Sequence, residues 1–455
     1  MLAQSEGSTD PRVGAVHDSE DGQSSRRLTP FDALMRRTWQ CALLLLIACY
    51  ALQIFSPLRL NTDSIILLSM ADSVAHGGGF LYQGHKTVHP PGYPALIAVL
   101  LKFRLGYSSA IIGMNLILLL GGLFSVYRIL GRRFFQNKTT NLIVCSLSLL
   151  SYVFVKHFTM PLTDVAFFGI AMCCLAVMDY AATLKWGRQF VAFVLVGWGL
   201  VVVSITMRRI GVALIPAFLY LLISSPEIRR FLKNIPVRIR FVVAILLIVA
   251  VLGTVLVVSN TSTLLDFTSV VGRSRLPDIL SRISVYRVTE LGELAINAPT
   301  SKLPAAVRVV VPWFGLAAFV LIIGGLLTKR QTLGTVEVFF VSYLCVLFAW
   351  PFYDARFWLP VVPLLIGYLG LAIRQAIDRT LVAAAAATYC LAFVLIGAVA
   401  LAFSTRISLA GPKFPDLYGD GSLRPSYCAA FQTCSGTYLA DKVDPVVLHL
   451  LRTFR

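Results

Sequence analysis

Apolar runs of roughly span length recur along the whole chain with short polar connections between them, and crossing a bilayer core takes about 20 such residues as helix. Runs of this kind cover 39–57, 107–130, 141–157, 163–181, 190–206, 209–224, 241–259, 305–327, 334–350, 357–373 and 381–403, which makes eleven predicted spans. The run from Ala95 to Phe103 is too short to cross. Residues 95–105 are therefore predicted to lie along the interface, with Lys102 and Arg104 at the headgroups. The fold class expected is an all-α polytopic membrane protein.

Composition agrees, since 57% of the 455 residues are hydrophobic and only 14% are charged, far from the usual balance of a soluble domain. The net charge of +18 would suggest nucleic acid in a soluble protein; here loop charge and lipid headgroup contact account for it, and nucleic acid is excluded. Arg36 and Arg37 precede the first span and favour a cytoplasmic N-terminus. The five internal connections then placed inside carry 14 Lys/Arg in 47 residues, against four in the 49 of loop 58–106 and five in the 45 of loop 260–304. The inner density is about three times the outer, as the positive-inside rule requires.

The expected organisation is a disordered cytoplasmic tail over 1–38, a membrane domain over 39–403 with outer loops 58–106 and 260–304, and a small polar extracytoplasmic tail over 404–455. Residues 1–30 are polar, and the late apolar run with no small-residue cleavage site argues against a cleavable signal. Seven of the nine cysteines fall in apolar runs, where cysteine acts as a small hydrophobe. Cys428 and Cys434, in CAAFQTC, face an oxidising compartment on this topology and are candidates for a disulfide, the alternative being two unpaired thiols.

The one long polar passage in the first half runs from Asn61 to Pro94, with two acids, three histidines, a triple glycine and a Pro-Pro-Gly-Tyr-Pro turn. Other hairpins place charge on the same face: Asp164 after Met160-Pro161-Leu162-Thr163, the Arg208-Arg209 pair, and Asp354 with Arg356. Ionisable groups near bilayer depth ask for a partner or a function. Carboxylates beside guanidinium groups suit transfer from a phosphate-linked donor, the acid taking a proton from the acceptor and arginines holding the departing phosphate. Each residue also has a plainer reading. Thr62 or Asp63 serves equally as a helix cap, Arg208 and Arg209 as interfacial anchors, and Trp350, Tyr353 and Trp358 as an aromatic belt. Asp72 falls about 180° from Asp63 on a helix and is not expected to share its task. Gly77-Gly78-Gly79 lacks the Lys-Ser/Thr of a phosphate loop and reads as a hinge. His85 and His89 lack a specific metal-ligand spacing.

The order of these motifs, TDS after the first span, Gly79-Phe80-Leu81-Tyr82, HPPGYP before a short helix, LGRRFF closing the next span and Arg356-Phe357-Trp358-Leu359-Pro360 late in the chain, resembles the GT-C superfamily of polyprenyl-phosphate-sugar transferases. Protein O-mannosyltransferases, lipid A aminoarabinose transferases and Rgt-type bacterial sugar transferases are the nearest in pattern, over most of 39–225. The resemblance implies an inverting glycosyltransferase acting on a polyprenyl-phosphate-sugar donor and a glycan, lipid or protein acceptor; the predicted topology puts the reaction at the outer face, and the loop pattern fits a bacterial inner membrane. It makes Asp63 the catalytic base and Asp164 the second acid. His89 stands where aminoarabinose transferases carry lysine before Pro-Pro, and Arg208 or Arg209 falls where a donor-phosphate arginine belongs. Tyr93, Tyr353 and Arg356 complete the expected substrate-binding set. Ser64 replaces the second acid of the family's paired motif, so the divalent metal of some relatives is not implied here. The short tail leaves acceptor recognition to the loops, chiefly 260–304. The competing reading is a lipid or polysaccharide transporter or flippase, against which the lack of an internal repeat counts. A polymerase acting through loop 260–304 would need a histidine that the loop lacks.

Overall fold

The computed structural model describes residues 30–224, 276–350, 352–376, 380–418, 422–432, 434 and 442–455. Chain order begins with α1 (Pro30–Leu52), α2 (Thr62–Ala75), α3 (Gly92–Lys102), α4 (Ser108–Arg133), α5 (Lys138–Leu150), α6 (Tyr152–His157), α7 (Thr163–Ala181) and α8 (Arg188–Met207). A 3-10 turn over Arg209–Ala213 leads into α9 (Leu214–Ser224), followed by α10 (Leu276–Ile296), α11 (Val311–Leu327) and α12 (Thr335–Ala349). A second 3-10 turn, Ala355–Val361, opens α13 (Val362–Ala376), and α14 (Thr380–Ser408) is the longest helix described. Three short helices close the chain: α15 (Phe414–Tyr418), α16 (Arg424–Phe431) and α17 (Pro445–Thr453).

Seven described segments are long and apolar enough to cross a membrane, built on α1, α4, α7, α8, α11, α13 and α14. The chain is a multi-pass helical membrane protein. Three further expected spans are shorter apolar helices, over Lys138–Leu150, Arg209–Ser224 and Thr335–Ala349; the expected span 241–259 lies outside the described residues. The first helix begins at Pro30, nine residues before its expected start, so 30–38 belong to a helix and not to a disordered tail. The helix expected over 95–105 is α3, 11 residues long and too short to cross.

The expected continuous span 141–157 is broken at Ser151, whose ψ of 131° is extended, not helical. A break inside a greasy bundle frees backbone groups that hydrocarbon cannot satisfy. Asn297, 1% exposed, satisfies them from the end of α10. Its Oδ1 accepts from the Tyr152 N–H at 2.7 Å, and its Nδ2 donates to the carbonyls of Leu150 at 3.0 Å and Phe393 at 3.1 Å.

Two expected loops are built otherwise. The outer loop 260–304 contains α10, a helix of 21 residues lying lengthwise against α11. A Cβ on Gly315 would stand 1.8 Å from the Val288 carbonyl oxygen, and one on Gly292 2.0 Å from that of Val311. Only glycine at both places lets the two backbones come this close. The polar tail 404–455 starts in α14 and then folds onto the chain before α2. The Tyr427 hydroxyl donates to the Leu58 carbonyl at 2.7 Å and accepts from the Leu60 N–H at 2.9 Å. Arg59, buried, donates to Ser404 and Ser408 at the end of α14. The Cys428–Cys434 disulfide closes within this packed region, with Cα atoms 5.3 Å apart.

Charge also marks the far end of the bundle. The Arg133 side chain meets Asp179 at 2.9 Å and Glu337 at 3.5 Å, joining the ends of α4 and α7 to the start of α12. Helices α7 and α12 thus run in opposite senses between this node and the end where Asp164 and Leu347 lie. The only strands described are Leu81–Tyr82 and His85–Lys86, paired antiparallel. Their two-residue turn takes positive φ at Gln83 (50°) and Gly84 (80°), as the right-handed strand twist favours.

Candidate functional site

A cavity of about 430 Å³ opens at the Asp164 end of the bundle, lined by side chains from five separate stretches of chain. Asp63 comes from α2, His89 from the proline turn, Asp164 from α7, Arg208 and Arg209 from the turn after α8, and Trp350 to Phe357 from the segment before α13. Leu67, Leu162, Ile210 and Leu347 give it an apolar wall. Seven of the eight site residues expected from sequence line this one space.

Asp63 enters it because a neighbour caps the helix. Asn61 is the N-cap of α2: its side chain accepts from the Ser64 N–H at 2.9 Å, and Ser64 Oγ answers the Asn61 N–H at 2.7 Å. Two orphan donors of the first turn are satisfied this way. The capping reading of Thr62 or Asp63 is thereby replaced, and the Asp63 carboxylate, 31% exposed, is left to pair with Arg356. The same guanidinium meets Asp354 at 2.8 Å through Nε, and the Asp354 carboxylate accepts from the Arg356 N–H at 3.0 Å.

Asp164 sits in the first turn of α7, where the helix dipole favours negative charge. Only 2% of its side chain is exposed, and it is paired with Arg208. Arg208 lies in extended backbone between α8 and the 3-10 turn, with its guanidinium carbon 4.9 Å from the centre of the Phe357 ring. Phe357 also has Arg356 at 5.7 Å and Arg287 at 5.8 Å, so one aromatic ring sits among three cations. Arg209 donates to the Val88 carbonyl and so ties the turn after α8 to the proline loop. Burial pushes the His89 pKa below its ordinary value; the Asp63 carboxylate opposes that shift, and Arg209 and Arg356 add to it. Burial likewise pushes Asp354 up, with the Arg356 charge opposing it.

Tyr93 is the exception among the expected site residues. It is fully buried in the core beside α4, its hydroxyl donating to Asn115 Oδ1 at 3.1 Å, and does not line the cavity. The proline turn presents His89 and Pro90 to the cavity while Tyr93, already in α3, turns inward. Asp72 points elsewhere, to His76 at 3.3 Å and His449 at 3.1 Å. His85 is exposed on its strand.

Each carboxylate in the cavity faces a guanidinium. Among the described residues no group of three or more His, Cys, Asp or Glu is arranged to hold a metal ion. The donor set fits an anion better than a divalent cation, because the arginines supply fixed positive charge in forked geometry. Trp350, Phe352 and Tyr353 add aromatic faces beside the charges. Sequence reasoning missed Phe357 as the ring that gathers the guanidinium groups, and it missed the acids of α10 behind it. The signal for the second was present as Arg287, Glu290 and Glu293 at every third position.

No protein-family model matches the chain, and no curated protein matches it. Among solved structures, ArnT from Cupriavidus metallidurans in the apo state aligns with a TM-score of 0.46 at 14% identity, over 92% of this chain and 74% of that one. The same protein bound to undecaprenyl phosphate gives 0.47 at 13% identity, over 91% and 84%. The oligosaccharyltransferase of Archaeoglobus fulgidus in complex with Zn and sulfate gives 0.49 at 11% identity, over 91% of this chain and 61% of that one.

Proposed function

We propose that this protein is a membrane glycosyltransferase that moves a sugar from a polyprenyl-phosphate-linked donor to a glycan, lipid or protein acceptor, on the outer face of the bacterial inner membrane. The observation that carries this reading is the meeting of Asp63 with Arg208, Arg209 and Arg356 in one partly apolar cavity. The motif resemblance of the sequence supports it.

In the reaction, an acceptor hydroxyl or amine attacks the anomeric carbon of the donor sugar. Asp63 takes the proton that the acceptor loses. The bond from the anomeric carbon to the phosphate oxygen breaks with its electron pair, inverting the centre, and the polyprenyl phosphate leaves with its charge held by the arginines. Asp63 suits the base role because it is the more accessible of the two early carboxylates in the cavity, 31% exposed against 2% for Asp164, which is closed off by Arg208. Asp164 therefore orients Arg208 toward the donor phosphate. His89, uncharged at neutral pH, is placed to hydrogen-bond donor or acceptor, and Tyr353 offers a face for a sugar ring.

Asp63→Asn tests the reading. With labelled polyprenyl-phosphate sugars, transfer is expected to fall by about 10²- to 10⁴-fold, while protein level and binding of undecaprenyl phosphate are retained. Full transfer by the variant removes Asp63 from the base role. A wild-type protein that moves the labelled lipid between leaflets without transferring sugar makes it a flippase.

A further inference from the structure

Arg287, Glu290 and Glu293 recur at every third position of α10 and lie 0, 0 and 5% exposed. Charge in such surroundings costs several kcal/mol unless it is paired and hydrogen-bonded. Most of the partners found for these three belong to the 350–358 segment, which lines the cavity. Glu290 accepts from the Asp354 N–H at 2.7 Å through Oε1. Its Oε2 accepts from Trp358 Nε1 at 2.8 Å and from Arg287 at 2.6 Å. Arg287 donates in turn to the carbonyls of Trp350 and Phe352. Glu293 accepts from the hydroxyls of Tyr353 at 2.8 Å and Tyr152 at 2.7 Å, and from the Thr300 N–H at 2.7 Å.

These contacts hold the backbone of the turn from behind. Asp354, fixed through its N–H by Glu290, holds the Arg356 guanidinium, and Arg356 reaches Asp63. The geometry points to Glu290, backed by Arg287, as a positioning residue: it sets the turn so that Asp354 presents Arg356 to the anion in the cavity. The task given to Arg356 rests on the proposed function; the placement of the turn by α10 does not. A side chain that acts through another gives non-additive losses, whereas independent structural damage adds.

The test uses the full-length protein in lipid nanodiscs, with undecaprenyl phosphate as the probe and Glu290→Ala, Glu290→Gln, Arg356→Ala and both double variants compared. Glu290→Ala is expected to weaken binding about tenfold in the native background and to cost no further loss beside Arg356→Ala. Glu290→Gln, whose amide oxygen still accepts one of the bonds, is expected to fall between wild type and Glu290→Ala. It decides the question where the alanine variant does not fold. Equal losses with and without Arg356, or no loss from either substitution, overturn the inference.

A ligand-free arm reads the turn itself. Ala355 is 6% exposed, so Ala355→Cys should resist a membrane-impermeant maleimide, measured over the background of the native cysteines. Combination with Glu290→Gln should raise its labelling severalfold, and unchanged labelling overturns the positioning role. If wild type fails to bind undecaprenyl phosphate, the donor reading falls while this arm still decides whether α10 places the turn.

Discussion

Arg356 bridges Asp63 and Asp354 with one planar fork, and this geometry sets what substitution does there. Lysine carries the same charge but only a point of it, and cannot serve two carboxylates and an incoming phosphate in fixed directions. Arg356→Lys is therefore expected to weaken undecaprenyl phosphate binding about tenfold, a loss on the scale of one charge-assisted hydrogen bond; titration in nanodiscs checks it. His89 sets a pH dependence. Its folded pKa lies below the ordinary 6.5, chiefly through burial. As pH falls from about 6.5, the unfolded chain takes up this proton before the folded one does, so the stability present above 6.5 is lost on the way down to the folded pKa. His89→Gln is expected to flatten part of the decline in thermal midpoint between pH 7 and pH 5, as unfolding followed by intrinsic fluorescence would measure.

At the scale of elements, the break between α5 and α6 depends on one side chain. Asn297→Ala leaves the Tyr152 N–H and the Leu150 carbonyl unsatisfied in the core and is expected to cost about 2–4 kcal/mol. Asn297→Asp is expected to cost as much despite its shape, because a carboxylate oxygen would face the Leu150 and Phe393 carbonyls that now receive Nδ2. Thermal unfolding of both variants in detergent decides. The helix α10 was legible as charge periodicity, with Arg287, Glu290 and Glu293 on one face, but read as a loop because no apolar run of span length contains it. Its polar face is satisfied by a segment some sixty residues away, and no local pattern announces that partner.

For the whole molecule, the basic far end and the cavity end lie on opposite sides of the bundle, and the topology we propose from charge density puts the first in the cytoplasm. His85, exposed beyond α2, lies on the cavity side in sequence order, and Lys138, exposed at the start of α5, lies at the other. A membrane-impermeant thiol reagent added to intact cells is expected to label His85→Cys and to spare Lys138→Cys, each measured over the native cysteines. The reverse pattern turns the protein over and moves the proposed reaction to the cytoplasm. Tyr427→Phe tests the closing segment at the same scale. Loss of the one hydroxyl that serves both Leu58 and Leu60 is expected to lower the thermal midpoint by loosening the chain just before Asp63.

The sequence by itself determined the helical membrane fold and most span positions, because burial in lipid imposes a length and an apolar composition that each segment carries alone. It also singled out Asp63, His89, Asp164, Arg208, Arg209, Tyr353 and Arg356, since charge and aromatic side chains at span ends stand out against an apolar background. Only the tertiary structure decided which of these face one another. Pairing joins Arg356 to Asp63 across 293 positions and Arg208 to Asp164 across 44; it also places Tyr93 in the core and Glu290 behind the site. Local hydrophobic period reports which face of a helix is apolar and is silent about what arrives against it. The side chain left with no lipid and no water to satisfy it is settled by its neighbour in space.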